Sequence, residues 1–472
     1  MSGRGRGDNQ GGNQAIEHIS MQDLDPESGR SEAEDHENPS NWRTWRKNTH
    51  IALVIVLTFL IRFSAGMIAT SLPEIMNDFH VEDKLQLSGF VVSAYVLGHV
   101  AGPLLMVPLS EICGRLVVSK VSNAGFVAFT LVCSVAPSPA TLIFFRSMAG
   151  AFGGGVLANG ETTMADLKVM TPKFRLLHKL SELLGFILGP VLGGYVADAL
   201  GWRRTFPLVA GAVAAVSICM VVVSRETYGP VLLKRKVARR RQETGNHLLR
   251  SALDSGLSPW EHLRRGIVRP FQVLSSSELC EVYTLFGGVM YGLQYVMLTT
   301  IGYALIRFYS LPSNGFGTYY LGLGLGCFIG WGLYAGPAAR AIRGISTKHR
   351  LWPVLLGSAI ALVGFGLYGS TYPVTSGYSK VWLVALAGHF FIGMGLQFII
   401  ASWTAALIDI FAENAPNALA ACDVVKSICG GLFPIFGQGM YAGFGVGWAN
   451  GTLASLMGVV LLTWCLAMAI LR

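Results

Sequence analysis

Twelve apolar runs, each about 20 residues long, leave this chain few ways to fold. They fall at 48–70, 87–108, 117–136, 140–163, 180–200, 205–224, 279–303, 315–336, 352–371, 381–404, 417–441 and 446–471. At a rise of roughly 1.5 Å per residue, a helix of that length crosses a hydrocarbon core of about 30 Å. The pattern predicts an all-α polytopic membrane protein of about twelve spans. Hydrophobic residues make up 52% of the 472 and charged residues 13%, too little polar surface for a soluble chain of this size. The 57 glycines fit helices that pack closely in lipid. The fifth run is the least regular, because His178, Lys179 and Glu182 lie in its first turns.

The longest gap between runs, 225–278, divides them six and six. It defines a polar tail at 1–47, a first six-helix bundle at 48–224, a basic linker at 225–278 and a second bundle at 279–472. Two such bundles around a central cavity are the architecture of many secondary transporters. The tail is Gly-rich and charged, and reads as disordered and cytoplasmic, with no cleavable signal peptide.

Lys and Arg in short loops set the orientation. Arg43, Arg46 and Lys47 precede the first run, and Arg115, Lys120, Lys168, Lys173 and Arg175 follow even-numbered ones. Glu74, Asp78, Glu82 and Asp83 crowd the first opposite loop. Arg203 and Arg204 break the rule locally. Both termini are therefore expected in the cytoplasm. The net charge of +9 follows this asymmetry and not a nucleic-acid-binding face. The linker, with Lys234, Arg235, Lys236, Arg239, Arg240 and Arg241, reads as topogenic and solvated against an anionic leaflet; a lipid-specific sensor is the sharper alternative.

Catalysis and metal binding find no support. The eight cysteines lack zinc or redox spacing, and no phosphate-cradling P-loop is present. We expect no cofactor, no metal and no enzyme activity. Asn450-Gly-Thr452 is a glycosylation sequon in an expected outer loop, too near the membrane to be modified.

Three motifs carry mechanism. The fifth run reads Gly185-Phe-Ile-Leu-Gly189-Pro190-Val-Leu-Gly193-Gly194. Gly185, Gly189 and Gly193 share one helix face, open to close packing, and Pro190 permits a kink. After the second run comes Val107-Pro-Leu-Ser-Glu111-Ile-Cys-Gly114-Arg115-Leu116, an acid and a base at a tight turn. The fourth run contains Arg146-Ser-Met-Ala-Gly150 and, at its inner end, Ala165-Asp166. A guanidinium inside a bilayer is costly unless it faces a cavity or an acid, or snorkels to the interface.

Together these motifs resemble the major facilitator superfamily, and within it the fungal twelve-helix drug:proton antiporters. Asn38-Pro-Ser-Asn41-Trp42 and Phe433-Pro434 match the same pattern, and the resemblance runs over about 38–472. It implies an antiporter helix at Gly185, Gly189, Pro190, Gly193 and Gly194, a cytoplasmic gate at Glu111, Gly114 and Arg115, and a proton-coupling role for Arg146. Val107, Leu116 and Glu161 depart from the pattern, and Lys426 stands where the family has an arginine.

If protons drive transport, an ionisable group must change environment as the cavity switches sides. Glu161, Glu182, Asp423 and, with Arg146 as modulator, Asp166 are the candidates; Glu182 pairing with Lys179 as a structural ion pair is the alternative. Tyr95, His99, Tyr291, Gln294, Tyr295, Gln397 and Trp403 are expected to line the substrate cavity. Aromatics with a few amides suit a large, partly apolar molecule. The expected function is proton-coupled efflux of a hydrophobic or amphipathic drug, toxin or secondary metabolite by a monomer in the plasma membrane. The rivals are uptake or exchange of a polar metabolite such as a polyamine, and a non-transporting receptor or scaffold.

Overall fold

A computed structural model describes residues 18–19, 39–81, 84–167, 171–246, 249–251, 253, 256–276, 278–309, 316–338, 352–371, 381–411 and 415–470. Nearly all of the described chain is helical. The first half holds α1 (Thr44–Gly66), the short α2 (Leu72–Asp78), α3 (Leu85–Gly98), α4 (Val107–Cys113), α5 (Arg115–Ser134), α6 (Pro139–Asp166), α7 (Pro172–Leu200) and α8 (Trp202–Val223). Between α3 and α4 a π-helical stretch, Gly102–Met106, keeps the second span continuous. The linker folds into α9 (Gly229–Thr244) and α10 (Pro259–Ser276). The second half holds α11 (Glu278–Tyr309), α12 (Phe316–Leu333), α13 (Trp352–Gly369), α14 (Val381–Phe411) and α15 (Ala415–Ile470). Among the described residues one sheet forms, pairing His18–Ile19 of the tail in parallel with Arg250–Ser251 of the linker.

Ten helices among the described residues are long and apolar enough to cross a membrane. The 56 residues of α15 would extend more than 80 Å, nearly three times the roughly 30 Å hydrocarbon core that one span crosses. Gly445 breaks it, with φ at 72°, into the last two spans. The 18-residue α12, apolar and glycine-rich, brings the number to twelve. Because spans alternate in direction, the start of α1, the α4–α5 turn and the linker share one end of the bundle, here the linker end. The α2 segment, the α5–α6 turn and the α7–α8 turn share the other, the far end.

At the far end the two halves close on each other. Ser88 donates to Gln438, whose Nε2 donates to the Thr299 carbonyl at 3.1 Å. Tyr320 Oη reaches the Ala69 carbonyl at 3.4 Å. Gly89 lies against the Pro434 backbone, and Gly194 against Gly317. At the linker end the bridging element is α10, which packs on α4 of the first half and on α11 and α15 of the second. Ser258 and Glu261 form a reciprocal capping box at its start, with Ser258 N donating to Glu261 at 2.9 Å and Glu261 N to Ser258 Oγ at 3.3 Å.

Two sequence anomalies are resolved by packing. Arg203, out of place at the far end, bonds Asp78 at 3.0 Å and the Ala136 carbonyl at 2.9 Å, and stacks on Trp202. Its charge is neutralised locally. Asn450, expected in a loop, is instead buried within α15. Its Nδ2 donates to the Val446 carbonyl at 2.8 Å and its Oδ1 accepts from Tyr441 at 3.0 Å, so the helix simply runs through the sequon. Most of the N-terminal tail, together with Glu82, Asp83 and Lys168, lies outside the described residues.

Candidate functional site

The glycine motif of α7 is a seam against α1. A Cβ at Gly185 would sit 2.5 Å from the Phe59 carbonyl oxygen, one at Gly189 2.6 Å from that of Phe63, and one at Gly193 2.6 Å from that of Met67. Four-residue steps on one helix thus face four-residue steps on the other. Pro190 fits the opposite gap, its Cδ 2.8 Å from where a Gly66 Cβ would be. Gly194 turns the other way, toward α12.

This close approach brings together charges that the sequence leaves scattered. Lys179 Nζ lies 3.3 Å from Glu161 of α6 and 3.2 Å from Glu182, three residues on in its own helix. Arg62 of α1 lies 3.9 Å from the other Glu182 oxygen and 3.5 Å from the Tyr291 hydroxyl of α11. Tyr291 in turn donates to Tyr295 at 3.5 Å. From α15, Lys426 pairs with Asp423 at 2.5 Å, with its ammonium 5.9 Å from the Tyr291 ring centre and 5.8 Å from that of Trp403. Charges at this depth in a bilayer persist only when paired or facing water. Both conditions are met: every carboxylate has a cation, and exposure rises from 20% at Glu182 to 53% at Lys179. Three cations balance three carboxylates, so the cluster is neutral by count. His178, on the same α7 turn, is buried and shares a 3.3 Å hydrogen bond with Thr58.

A second hub forms at the linker end around Gly114, which takes φ 103° to turn α4 into α5. A side chain there would collide with Glu226, whose carboxylate accepts from the backbone N–H groups of Arg115 (2.9 Å), Leu116 (3.3 Å), Thr227 and Tyr228 (3.0 Å each). Glu226 therefore caps α5 from 111 residues away. Arg115 is buried; it bonds Asp166 at 3.0 Å and Ser110, and packs 4.7 Å from the Tyr228 ring centre. Glu111 does not pair with Arg115 and instead meets His262 of α10 at 3.1 Å.

The comparisons with known proteins agree with this architecture. The family model described as Major Facilitator Superfamily matches residues 54–386. The MFS-type transporter penM of Penicillium rubens is 36% identical over 447 residues, covering 92% of this chain and 85% of that protein. The efflux pump radE of Floropilus chiversii is 35% identical, covering 89% of this chain and 79% of that protein. The chain belongs to the Major Facilitator Superfamily. The xylose transporter XylE from E. coli, in a partially occluded inward-open conformation, shares the fold with a TM-score of 0.58 at 14% identity, over 89% of this chain and 98% of that one.

Within this superfamily fold, the anticipated residues divide into groups. Glu161, Glu182, Asp423, Tyr291 and Tyr295 join the charged cluster. Asp166 does not meet Arg146: twenty residues separate them, about 30 Å along α6, and Asp166 belongs to the Arg115 hub. Arg146 is buried to 1% exposure and does not snorkel. Its Nη1 donates to the Ser64 carbonyl at 3.2 Å and its guanidinium lies 4.7 Å from the Tyr95 ring centre, while Nε and Nη2 find no hydrogen-bond partner among the described residues. Tyr95 donates to the Ile61 carbonyl at 3.0 Å, and its own carbonyl bonds His99 Nδ1 at 2.9 Å. Gln294 and Gln397 face each other at 3.4 Å. Trp403 is fixed in the core by a 2.8 Å bond from Nε1 to the Tyr283 carbonyl. Sequence reasoning missed Arg62 and Glu226. The first is a lone charge deep in an apolar run, a signal that was available. The second is an ordinary acid in a basic segment, and nothing local marks it.

Proposed function

We propose that this superfamily member exports a hydrophobic or amphipathic small molecule in exchange for protons, with Glu182 as the proton-carrying group. The observation that carries the reading is the shared position of Glu182 between Lys179 on its own helix and Arg62 on α1. Arg62 also contacts Tyr291 of the other half, so rocking of the halves alters the cations around Glu182. A carboxylate stripped of its cations takes up a proton, and one restored to them releases it. Substrate and proton then alternate at one cluster, with the half-buried Tyr291, backed by the buried Tyr295, offering aromatic surface to a drug, toxin or secondary metabolite. The name of the relative radE, an efflux pump, supports the outward direction.

We read the linker end as cytoplasmic from its Lys and Arg excess, and the protein as a plasma-membrane monomer with both termini inside. The closed far end then corresponds to an inward-facing state. The cargo leaves chemically unchanged, so no catalytic step is required. A polyamine carrier is disfavoured, because three cations neutralise the three carboxylates of the cluster and leave no net attraction for a polycation.

The test is accumulation of a panel of fluorescent and labelled organic compounds in cells with and without the protein, repeated with a protonophore. Lower accumulation, reversed by the protonophore and absent in Glu182→Gln, is the expected result. Protonophore-sensitive export that persists in Glu182→Gln would remove Glu182 from coupling. Higher accumulation would turn the reading toward uptake.

A further inference from the structure

Where α1 and α8 meet the linker end, the fold gathers basic groups from two distant parts of the chain. Arg46 Nε donates to the Val223 carbonyl at 3.3 Å, across 177 residues, and so draws the start of α1 to the end of α8. Arg46 thereby comes close enough to Arg225 for the two like charges to repel. Arg43, one turn before, and Arg225 are both exposed. No described carboxylate forms an ion pair with Arg43, Arg46 or Arg225. The nearest acid in sequence, Glu226, is consumed by four backbone N–H groups. On the same turn of α1, Trp45 is 60% exposed, and Trp42 lies under the Arg46 guanidinium at 5.5 Å.

We propose that this corner is a docking surface for the headgroups of anionic phospholipids. Held like charges with no acid partner among the described residues draw anions from outside. Both helices end their membrane spans here, so headgroup phosphates stand at the right depth and at far higher local concentration than any soluble anion. An exposed indole beside arginines is the side-chain set that settles at a headgroup layer. The linker continues the surface, since five residues separate α9 from the end of α8 and α9 carries exposed Lys234 and Arg235. Topogenesis alone requires positive charge at this end but not its convergence from both chain segments on one corner.

The test uses the full-length protein in neutral detergent, titrated with short-chain fluorescent phosphatidylserine, the matching phosphatidylcholine, and inositol hexakisphosphate as a soluble polyanion. The protein is expected to prefer phosphatidylserine, and Arg43→Gln/Arg225→Gln to weaken that binding by about fivefold per charge removed, roughly 25-fold in all. Arg264→Gln/Arg265→Gln, which removes the same charge from the exposed face of α10, should leave it unchanged. Equal weakening in both variants would reduce the effect to net charge and overturn the proposal. Absence of a phosphatidylserine preference, or equally tight binding of inositol hexakisphosphate, would overturn it as well.

Discussion

The α1–α7 seam makes a quantitative prediction at Gly189. A methyl group there would stand 2.6 Å from the Phe63 carbonyl oxygen, where ordinary contact begins near 3.4 Å. The next neighbours, Met67 N and Phe63 C at 3.3 Å, are also backbone, so no side chain can swing aside. The helices must part by about 0.8 Å at this level, the difference between those two distances. Overpacking of this kind costs about 1–3 kcal/mol. Against it, replacing glycine by alanine inside a helix gains about 1 kcal/mol. The clash should win, leaving Gly189→Ala less stable by up to about 2 kcal/mol. Gly211 on α8 supplies the control, because nothing lies within 4 Å of its Cβ position. There Gly211→Ala collects the propensity gain without the clash. Thermal unfolding of both variants in the same detergent should place them on opposite sides of the parent. Separation of α1 from α7 should also lengthen the 3.9 Å Arg62–Glu182 contact and lower export more than the stability loss explains. A Gly189→Ala protein as stable as Gly211→Ala would refute the seam.

Two further outcomes follow from the linker end. Asp166→Asn leaves the buried Arg115 guanidinium without its partner and should destabilise the protein by about 2–3 kcal/mol, with the 22% exposure of Asp166 holding the loss to the low end for buried pairs; unchanged thermal unfolding would show that Ser110 and Tyr228 suffice. At the start of α10, the hydrogen bonds from Ser258 hold the Glu261 carboxyl below the usual carboxylate range. A lowered folded-state value means that this capping contribution is present above the unfolded-state pKa and is lost as pH falls through the folded one. Protection of the amides at 260–262, taken relative to the intrinsic exchange rate at each pH, should therefore fall in acid, and Ser258→Ala should show the lower protection already at neutral pH; identical protection in variant and parent would dismiss the capping box.

How much of this was open to a sequence reader depends on the range of each interaction. The spans are set by hydropathy summed within each run, and even α15 splits where Gly445 could be foreseen as a break between 417–441 and 446–471. The Gly185–Gly194 motif announces a close-packed face, since only one helix's own periodicity is needed to align it. Its partner α1 and the matching steps at Phe59, Phe63 and Met67 are not written locally. The charged opening of the fifth run looked like a flaw in a membrane helix. It is instead half of the polar cluster, because Lys179 and Glu182 find Glu161 and Arg62 on other helices.

The sequence alone determined what water and lipid each act on residue by residue: twelve helices, their alternation, a basic end, and glycine faces able to meet. Hydrophobic burial and backbone satisfaction in a bilayer decide those within a single segment. Tertiary structure alone decided which charge faces which. Glu111 goes to His262 and not to Arg115, Arg115 goes to Asp166, and Glu226 reaches back 111 residues to cap α5. An ion pair depends on a separation of a few ångströms between side chains from different helices, and that separation exists only once the helices have packed.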